Sequence, residues 1–201
     1  MSRADRRRWE GARTLPDLGE LMALWLEGSL LSRPGPDFTG AIQPDPETTR
    51  LVPVLAGLNR AGFLTDDSQP GEIGPGFDGL TWEQRAWVDG FVADAGLASR
   101  ICEVGERAGL RVVVHVRGRQ TLLVPRGGEV VTRRGGGDYT RAGIRMPDDH
   151  LAQVFEGCHP DAVRAVCEAR QVTVFDPVWG RNDVLWPTLA NALGGALSTV
   201  R

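Results

Sequence analysis

The chain has 201 residues, of which 41% are hydrophobic and 24% charged, a composition typical of one globular domain and not of a disordered chain. Its net charge of -3 excludes a strong overall attraction to nucleic acid or to anionic membranes. The sequence contains 23 basic residues, all of them arginine, which indicates GC-rich coding of the kind found in actinobacteria.

The N-terminus and the cysteines favour a cytoplasmic protein without a membrane segment. Residues 1–13 are basic but no apolar run follows them, so we expect a basic N-terminal arm and not a secretory signal. Residues 14–201 then form the single domain. Cys102, Cys158 and Cys167 are an odd number without CxxC spacing, which predicts free thiols in a reducing compartment and no metal site.

Helical spacing and capping signals predict two helices in the first third of the chain. The first covers Leu15–Leu26 and begins after Thr14. After a connection rich in proline and glycine, the second begins near Glu47 and ends at Gly62, where a left-handed C-cap fits. The segment FLT then predicts a short strand that leads into a polar turn.

The remaining elements place strands in the middle of the chain and helices on either side. Thr81–Gln84 fits a capping box and predicts a helix that continues to Val92. The further expected elements are a helix to Ala108, strands RVVVHV and TLLVP, weaker strands EVVT and AGIRM, helices near 148–156 and 160–169, the strand QVTVFD, and a helix over 184–197. This order predicts an α+β fold, a single mixed domain with central β-strands surrounded by about five to six helices.

The segment GPGFDG, residues 74–79, matches the letters of the dinucleotide-binding pattern G-x-G-x-x-G. That pattern requires a strand directly before it and a helix at its third glycine. Loop-forming residues precede it here, so we expect a flexible turn.

An excess of arginine is the one sign of an anionic partner. Residues 111–145 contain eight arginines against two acidic residues, Glu129 and Asp138. Aromatic side chains that could stack on bases are nearly absent there, with only Tyr139. We therefore do not expect nucleic acid as the partner, and an arginine-rich nucleic-acid or protein adaptor is kept as an alternative function.

Five consecutive polar side chains, TDDSQ at residues 65–69, follow the predicted helix and strand. A helix followed by a returning strand can bring Glu47, Thr48, Thr65 and Ser68 to one end of the unit. Their carboxylate and hydroxyl groups, with the N–H groups of a helix start, suit a zwitterionic ligand that resembles an amino acid. Mutual capping of helix and turn is the alternative, and the residues by themselves leave it open.

The pair Glu47-Thr48, followed by LNRAGFLTDDSQPG, resembles the C-terminal regulatory domain of eukaryotic-type methylenetetrahydrofolate reductase. That family has a Glu-Thr pair at a helix start, then Asn-x-x-Gly and Thr-x-x-Ser-Gln-Pro. The segments TLPDLGELMALWLEG, TWEQRAWVDGF and VTVFDPVWGRNDVLW resemble other parts of the same domain. The likeness therefore runs from about Thr14 to Leu197.

The resemblance implies a stand-alone domain that binds S-adenosylmethionine or S-adenosylhomocysteine and regulates a protein partner in trans. The residues that match the family's ligand contacts are Glu47, Thr48, Thr65 and Ser68, with Thr132 and Thr140 as a further pair. Thr132 and Thr140 are closer together than the pair of threonines in the family. Nothing in the sequence corresponds to the flavin-binding catalytic barrel, so we expect no flavin and assign no catalytic residue. An enzyme that consumes S-adenosylmethionine, by methyl transfer or cleavage, is the alternative.

Overall fold

The computed structural model describes residues 1–35, 43–119 and 127–194. In these ranges the chain forms seven α-helices, a 3₁₀ helix and eight strands, so there are more helices than the five to six expected. The strands form two four-stranded antiparallel sheets. The predicted class, a single mixed α+β domain, is confirmed.

Helices and strands alternate in groups along the chain. The helices are α1 (Arg3–Gly11), α2 (Leu15–Leu26), the 3₁₀ helix (Pro46–Leu51), α3 (Val52–Arg60), α4 (Ala95–Arg107), α5 (Asp148–Val154), α6 (Pro160–Glu168) and α7 (Leu185–Gly194). The strands are β1 (Phe63–Gln69), β2 (Ile73–Pro75), β3 (Thr81–Gln84), β4 (Trp87–Val92), β5 (Arg111–His115), β6 (Glu129–Arg134), β7 (Gly137–Ala142) and β8 (Arg170–Phe175).

The first sheet has the order β1-β4-β8-β5 and forms the centre of the domain. Helices α2, α3 and α4 contact this sheet, and α7 contacts α3 and α4. The main hydrophobic core includes fully buried side chains from helices and strands alike, such as Leu18, Leu55, Phe63, Val172 and Leu185. Apolar burial is the dominant favourable contribution to folding, so the packing of helices on this sheet fixes the position of β1, which carries the polar run TDDSQ.

The second sheet has the order β2-β3-β6-β7 and is separate from the first. A small hydrophobic cluster joins the two: Trp87, Val113 and Phe175 from the first sheet contact Val131 and Ala142 from the second. Strand β7 is at the edge, and its residues are exposed apart from Ala142. None of the helices in the described residues is long and apolar enough to cross a membrane.

The N-terminal segment is packed against the domain. In the segment expected to be a basic arm, residues 1–13, helix α1 begins after Ser2, whose hydroxyl accepts a hydrogen bond from the Asp5 amide at 3.0 Å. Trp9 is fully buried in the main core, and its indole N–H donates to the Ser32 carbonyl at 3.1 Å. One large aromatic side chain therefore holds this segment to the domain.

The first two predicted helices form at the positions that the capping residues and Pro53 indicated. Helix α2 has a reciprocal capping box between Thr14 and Asp17. The second predicted helix starts as the 3₁₀ helix and continues as α3, with Pro53 in the first turn of α3, where proline is tolerated. Gly62 has a φ of +96°, as a left-handed C-cap requires.

The predicted helix from Thr81 to Val92 is wrong, because these residues form β3 and β4. Strand β4 is paired on both sides, by β1 and β8, and all six of its residues are buried. A strand buried on both faces has no alternation of apolar and polar residues, so its pattern can imitate that of a helix.

Two smaller expectations also meet the structure differently. The polar segment TDDSQ is not a turn, because β1 continues through it to Gln69. The strand expected at AGIRM lies earlier, as β7, and pairs with β6 across a tight turn. The segment TLLVP is outside the described residues. The expected turn at 74–79 is the end of a hairpin between β2 and β3.

Candidate functional site

A β-bulge in strand β1 determines which of its polar side chains lie on the same face of the sheet. Its register with β4 shifts between Thr65, opposite Gly90, and Asp67, opposite Asp89, so Asp66 is the extra residue. Side chains alternate across a strand on either side of a bulge. Thr65 and Ser68 therefore share the face of the sheet towards α3, whereas Asp67 is on the face of Asp89.

Thr65 is fixed by Asn59 at the end of α3. The Asn59 amide N–H donates to Thr65 Oγ1 at 2.7 Å and to the Leu55 carbonyl at 2.9 Å, and Asn59 Oδ1 accepts from the Thr65 backbone N–H at 3.0 Å. Both Asn59 and Thr65 are buried. Because Thr65 Oγ1 accepts this bond, its own hydrogen remains available to donate to a ligand.

A cavity of about 400 Å³ lies between the start of the 3₁₀ helix, β1 and α2. We call it the acidic cavity. Its walls combine hydroxyls, carboxylates, one cation and an apolar side, formed by Thr48, Thr65, Ser68, Asp45, Asp66, Asp67, Arg33, Met22, Trp25, Leu26 and Leu55. Its volume is within the range of small-molecule sites.

Among the described residues of this wall, Arg33 is the one cation, and it is only loosely paired. Arg33 Nη1 is 3.8 Å from Asp66 Oδ1 and donates to the Asp66 backbone carbonyl at 3.4 Å. The guanidinium also lies 5.4 Å from the centre of the Trp25 ring. The guanidinium of Arg33 can therefore donate two hydrogen bonds to a ligand carboxylate without losing a strong internal ion pair.

The two adjacent aspartates are held in an unfavourable environment for their charge. Burial raises the pKa of Asp66, and the nearby Arg33 and His150 only partly oppose this. Burial, followed by the charge of Asp66, raises the pKa of Asp67 to about 6. Asp67 nevertheless has exposed surface, so it forms the solvent side of the pair. A cation bound beside them would relieve their repulsion.

A second and larger cavity, of about 930 Å³, adjoins the first at Asp45, which lines both. We call it the hairpin cavity, because the β2–β3 hairpin forms much of its wall. Glu47 also lines this cavity and accepts a side-chain hydrogen bond from Gln84. Partial burial, and then the charge of Asp45, raise the pKa of Glu47.

The six predicted ligand contacts are divided among several places. Thr48, Thr65 and Ser68 line the acidic cavity, and Glu47 lines the hairpin cavity. Thr132 is buried, and its hydroxyl donates a hydrogen bond at 2.8 Å to Oε1 of Gln69, the residue that follows Ser68. Thr140 is paired in register with Thr132 but is exposed on β7.

Sequence reasoning missed a buried aspartate behind the acidic cavity. Asp89 accepts hydrogen bonds from the Thr173 hydroxyl and from Gln171 Nε2, the latter at 2.9 Å. Burial, with the charges of Asp66 and Asp67 adding to it, raises the pKa of Asp89 to about 8 despite both bonds. The available signal was one acidic residue inside the otherwise apolar segment WVDGFV.

Several arginines on and around the second sheet are paired with acidic side chains. Ion pairs neutralise the arginine excess in part: Arg111 and Arg85 with Glu129, Arg133 and Arg141 with Asp138, Arg134 with Asp78, and Arg117 and Arg145 with Asp148. Arginines that are already paired offer less attraction to phosphates. In the part of the chain that the structure describes, no group of three or more His, Cys, Asp or Glu side chains could hold a metal ion.

A family model described as a domain of unknown function (DUF6919) matches residues 4–196, which is nearly the whole chain. The chain therefore belongs to this family. None of the curated proteins matches the chain.

Proposed function

We propose that this chain is a stand-alone domain that binds S-adenosylmethionine, or its demethylated product S-adenosylhomocysteine, and senses it for a partner protein. The observation that carries the proposal is the common cavity of Thr48, Thr65 and Ser68, three of the residues that resemble the regulatory domain of methylenetetrahydrofolate reductase. Their hydroxyls line the same space as Asp66 and Asp67.

The chemistry of the acidic cavity matches the amino-acid end of this ligand. Its α-carboxylate can accept the bidentate donor fork of Arg33, while its α-ammonium and sulfonium fit beside Asp66 and Asp67. The apolar wall suits the methylene groups between these charges. A neutral or anionic ligand would bring no cation to offset the repulsion between the two aspartates, which is costly in a partly buried site.

An enzyme that consumes S-adenosylmethionine is the second candidate, and one observation favours it. Asp67 has a pKa of about 6 beside a second carboxyl group, which suits a general base. Incubation with S-adenosylmethionine labelled in the methyl group, together with heat-treated host extract as a source of methyl acceptors, separates the two functions. A sensor returns the ligand unchanged, whereas methyl transfer or cleavage releases a labelled product.

Ser68 gives a test of the hydroxyl contacts with little effect on the fold. We expect Ser68→Ala to weaken S-adenosylmethionine binding by about 0.5–1.5 kcal/mol, the typical value of one neutral hydrogen bond. Its backbone N–H bonds to Asp67, and no side-chain bond of Ser68 is needed for that contact. The melting temperature without ligand should stay unchanged. If the melting temperature falls while calorimetry gives an unchanged affinity, Ser68 is a structural residue.

A sensor also requires a macromolecule that responds to it. We expect a pull-down from the native host to recover a protein partner whose amount changes when S-adenosylmethionine is added. Recovery of nucleic acid alone, lost as the salt concentration rises, would instead indicate the arginine-rich adaptor.

A further inference from the structure

The hairpin cavity has an aromatic wall that the amino-acid end of the ligand does not use. Phe77, at the end of the β2–β3 hairpin, is 94% exposed. Its ring centre is 5.6 Å from that of Trp82, and both side chains line the cavity. Ile73, 56% exposed, extends the same apolar wall. An isolated exposed apolar side chain needs no explanation, but a contiguous group beside a cavity indicates a binding surface.

This wall is held in a fixed geometry. Asp78 accepts hydrogen bonds from the Trp82 indole N–H at 3.1 Å and from the Leu80 amide at 3.0 Å, and it also pairs with Arg134. The turn lies directly against the indole, since a Cβ atom on Gly76 would be 2.1 Å from Trp82 Nε1. Trp82 therefore cannot turn freely, which lowers the entropic cost of stacking a planar ring against it.

Hydrogen-bond acceptors line the same cavity as the aromatic wall. Glu47 and Glu72 both line it, and Glu72 is paired with Arg50. Glu47 receives one bond from Gln84, which leaves further lone pairs on its carboxylate. A planar ring joined to a polyhydroxyl group needs this combination of an aromatic surface and a nearby carboxylate acceptor.

We propose that the hairpin cavity is the subsite for the nucleoside part of the ligand. The purine ring lies against Phe77 and Trp82, and Glu47 accepts hydrogen bonds from the ribose hydroxyls. The amino-acid end occupies the acidic cavity next to it. One ligand can span both, because Asp45 lines the two cavities and Glu47 and Thr48, one in each wall, are consecutive. This inference rests on the proposed function.

Phe77→Ala tests the subsite, and Leu80→Ala is the matched control. Leu80 is an exposed apolar residue of the same hairpin that does not line the cavity. Because Phe77 is almost wholly exposed, its removal should leave the fold intact, which the melting temperature checks. The probes are S-adenosylmethionine by calorimetry, and adenosine and methionine by ligand-observed NMR.

We expect Phe77→Ala to weaken S-adenosylmethionine and adenosine binding by about five- to tenfold, the effect of losing one stacking partner. Methionine binding should not change. Phe77→Tyr should restore the affinity, and Leu80→Ala should match the wild type. Glu47→Gln should weaken S-adenosylmethionine and S-adenosylhomocysteine equally, because both carry the same ribose.

Two results would overturn the subsite, and they differ from a failure of the proposed function. If the wild type binds S-adenosylmethionine and Phe77→Ala binds it equally well, the nucleoside lies elsewhere although the function stands. A loss of methionine binding equal to that of adenosine would also contradict the division into two subsites. If the wild type binds no S-adenosylmethionine, the function fails and the subsite fails with it.

Discussion

Replacement of both Asp66 and Asp67 by asparagine is expected to abolish most of the affinity for S-adenosylmethionine. Each carboxylate that pairs with a ligand cation should contribute about 1.5–3 kcal/mol, which is roughly a 10- to 150-fold change in Kd for each residue. S-adenosylhomocysteine lacks the sulfonium charge, so its affinity should fall less. Calorimetry of the wild type and the double variant with both ligands measures the difference.

The fold should tolerate this double substitution. Burial raises the pKa of both aspartates, so their charges oppose folding and asparagine removes that cost. The melting temperature without ligand should therefore not fall. Asp138→Asn is a matched control, because Asp138 is an aspartate on β7 that lines neither cavity. An unchanged affinity in the double variant would remove the pair from the site.

The same pair predicts the direction of the pH dependence of binding. Asp67 takes up a proton as the pH falls through about 6, which is its raised pKa. A protonated carboxyl group no longer attracts a cation, so affinity for S-adenosylmethionine should decrease on acidification through this range. The decrease should be smaller in Asp67→Asn.

Asp89 gives the second large effect, on stability. Its pKa is about 8 in the folded chain, against an ordinary value of 3.8. Between these values the folded state keeps a proton that the unfolded state releases, so stability falls as pH rises, by about 1.4 kcal/mol per pH unit at most. Urea unfolding at pH 5 and pH 7.5 should therefore show a less stable protein at the higher pH.

Asp89→Asn should remove this part of the pH dependence and keep the hydrogen bonds. The asparagine oxygen can accept from Gln171 Nε2, while its amide donates to the Thr173 hydroxyl, which can rotate to accept. The variant should be more stable than the wild type at both pH values, and by more at pH 7.5 than at pH 5. Asp138→Asn should keep the wild-type slope. Equal slopes in the wild type and in Asp89→Asn would show that Asp89 is charged in the folded state.

Local signals predicted the elements that have clear ends. The capping box at Thr14, the glycine at Gly62 and the alternating segment RVVVHV each fix backbone geometry through a few neighbouring residues. Those elements formed as expected. The α+β class followed from their order along the chain.

Pairing across the sheet decided the elements that local signals missed. Trp87 and Phe91 have spacing compatible with a helix, but β1 and β8 together bury the whole segment as a central strand. Similarly, β7 is an exposed edge strand whose side chains carry no apolar alternation. Such strands are determined by partners distant in sequence, which periodicity cannot detect.

The candidate site was predictable only in part for the same reason. Thr65 and Ser68 lie in a conspicuous polar run, and Thr48 belongs to the upstream Glu-Thr pair that resembles the reductase family. Arg33 and Trp25 come from α2 and the segment after it, so only the packing of α2 on β1 brings them into the acidic cavity. The bulge at Asp66 also determines which polar side chains share a face of the sheet, and no local sequence pattern predicted this bulge.

Titration of the purified protein with S-adenosylmethionine by calorimetry at pH 7.5 is the direct test of ligand binding by this domain. We predict saturable binding of one ligand per chain, with weaker binding of S-adenosylhomocysteine and a large loss in the Asp66→Asn, Asp67→Asn double variant. The absence of any saturable heat with either ligand, together with an unchanged melting temperature in their presence, would contradict the account.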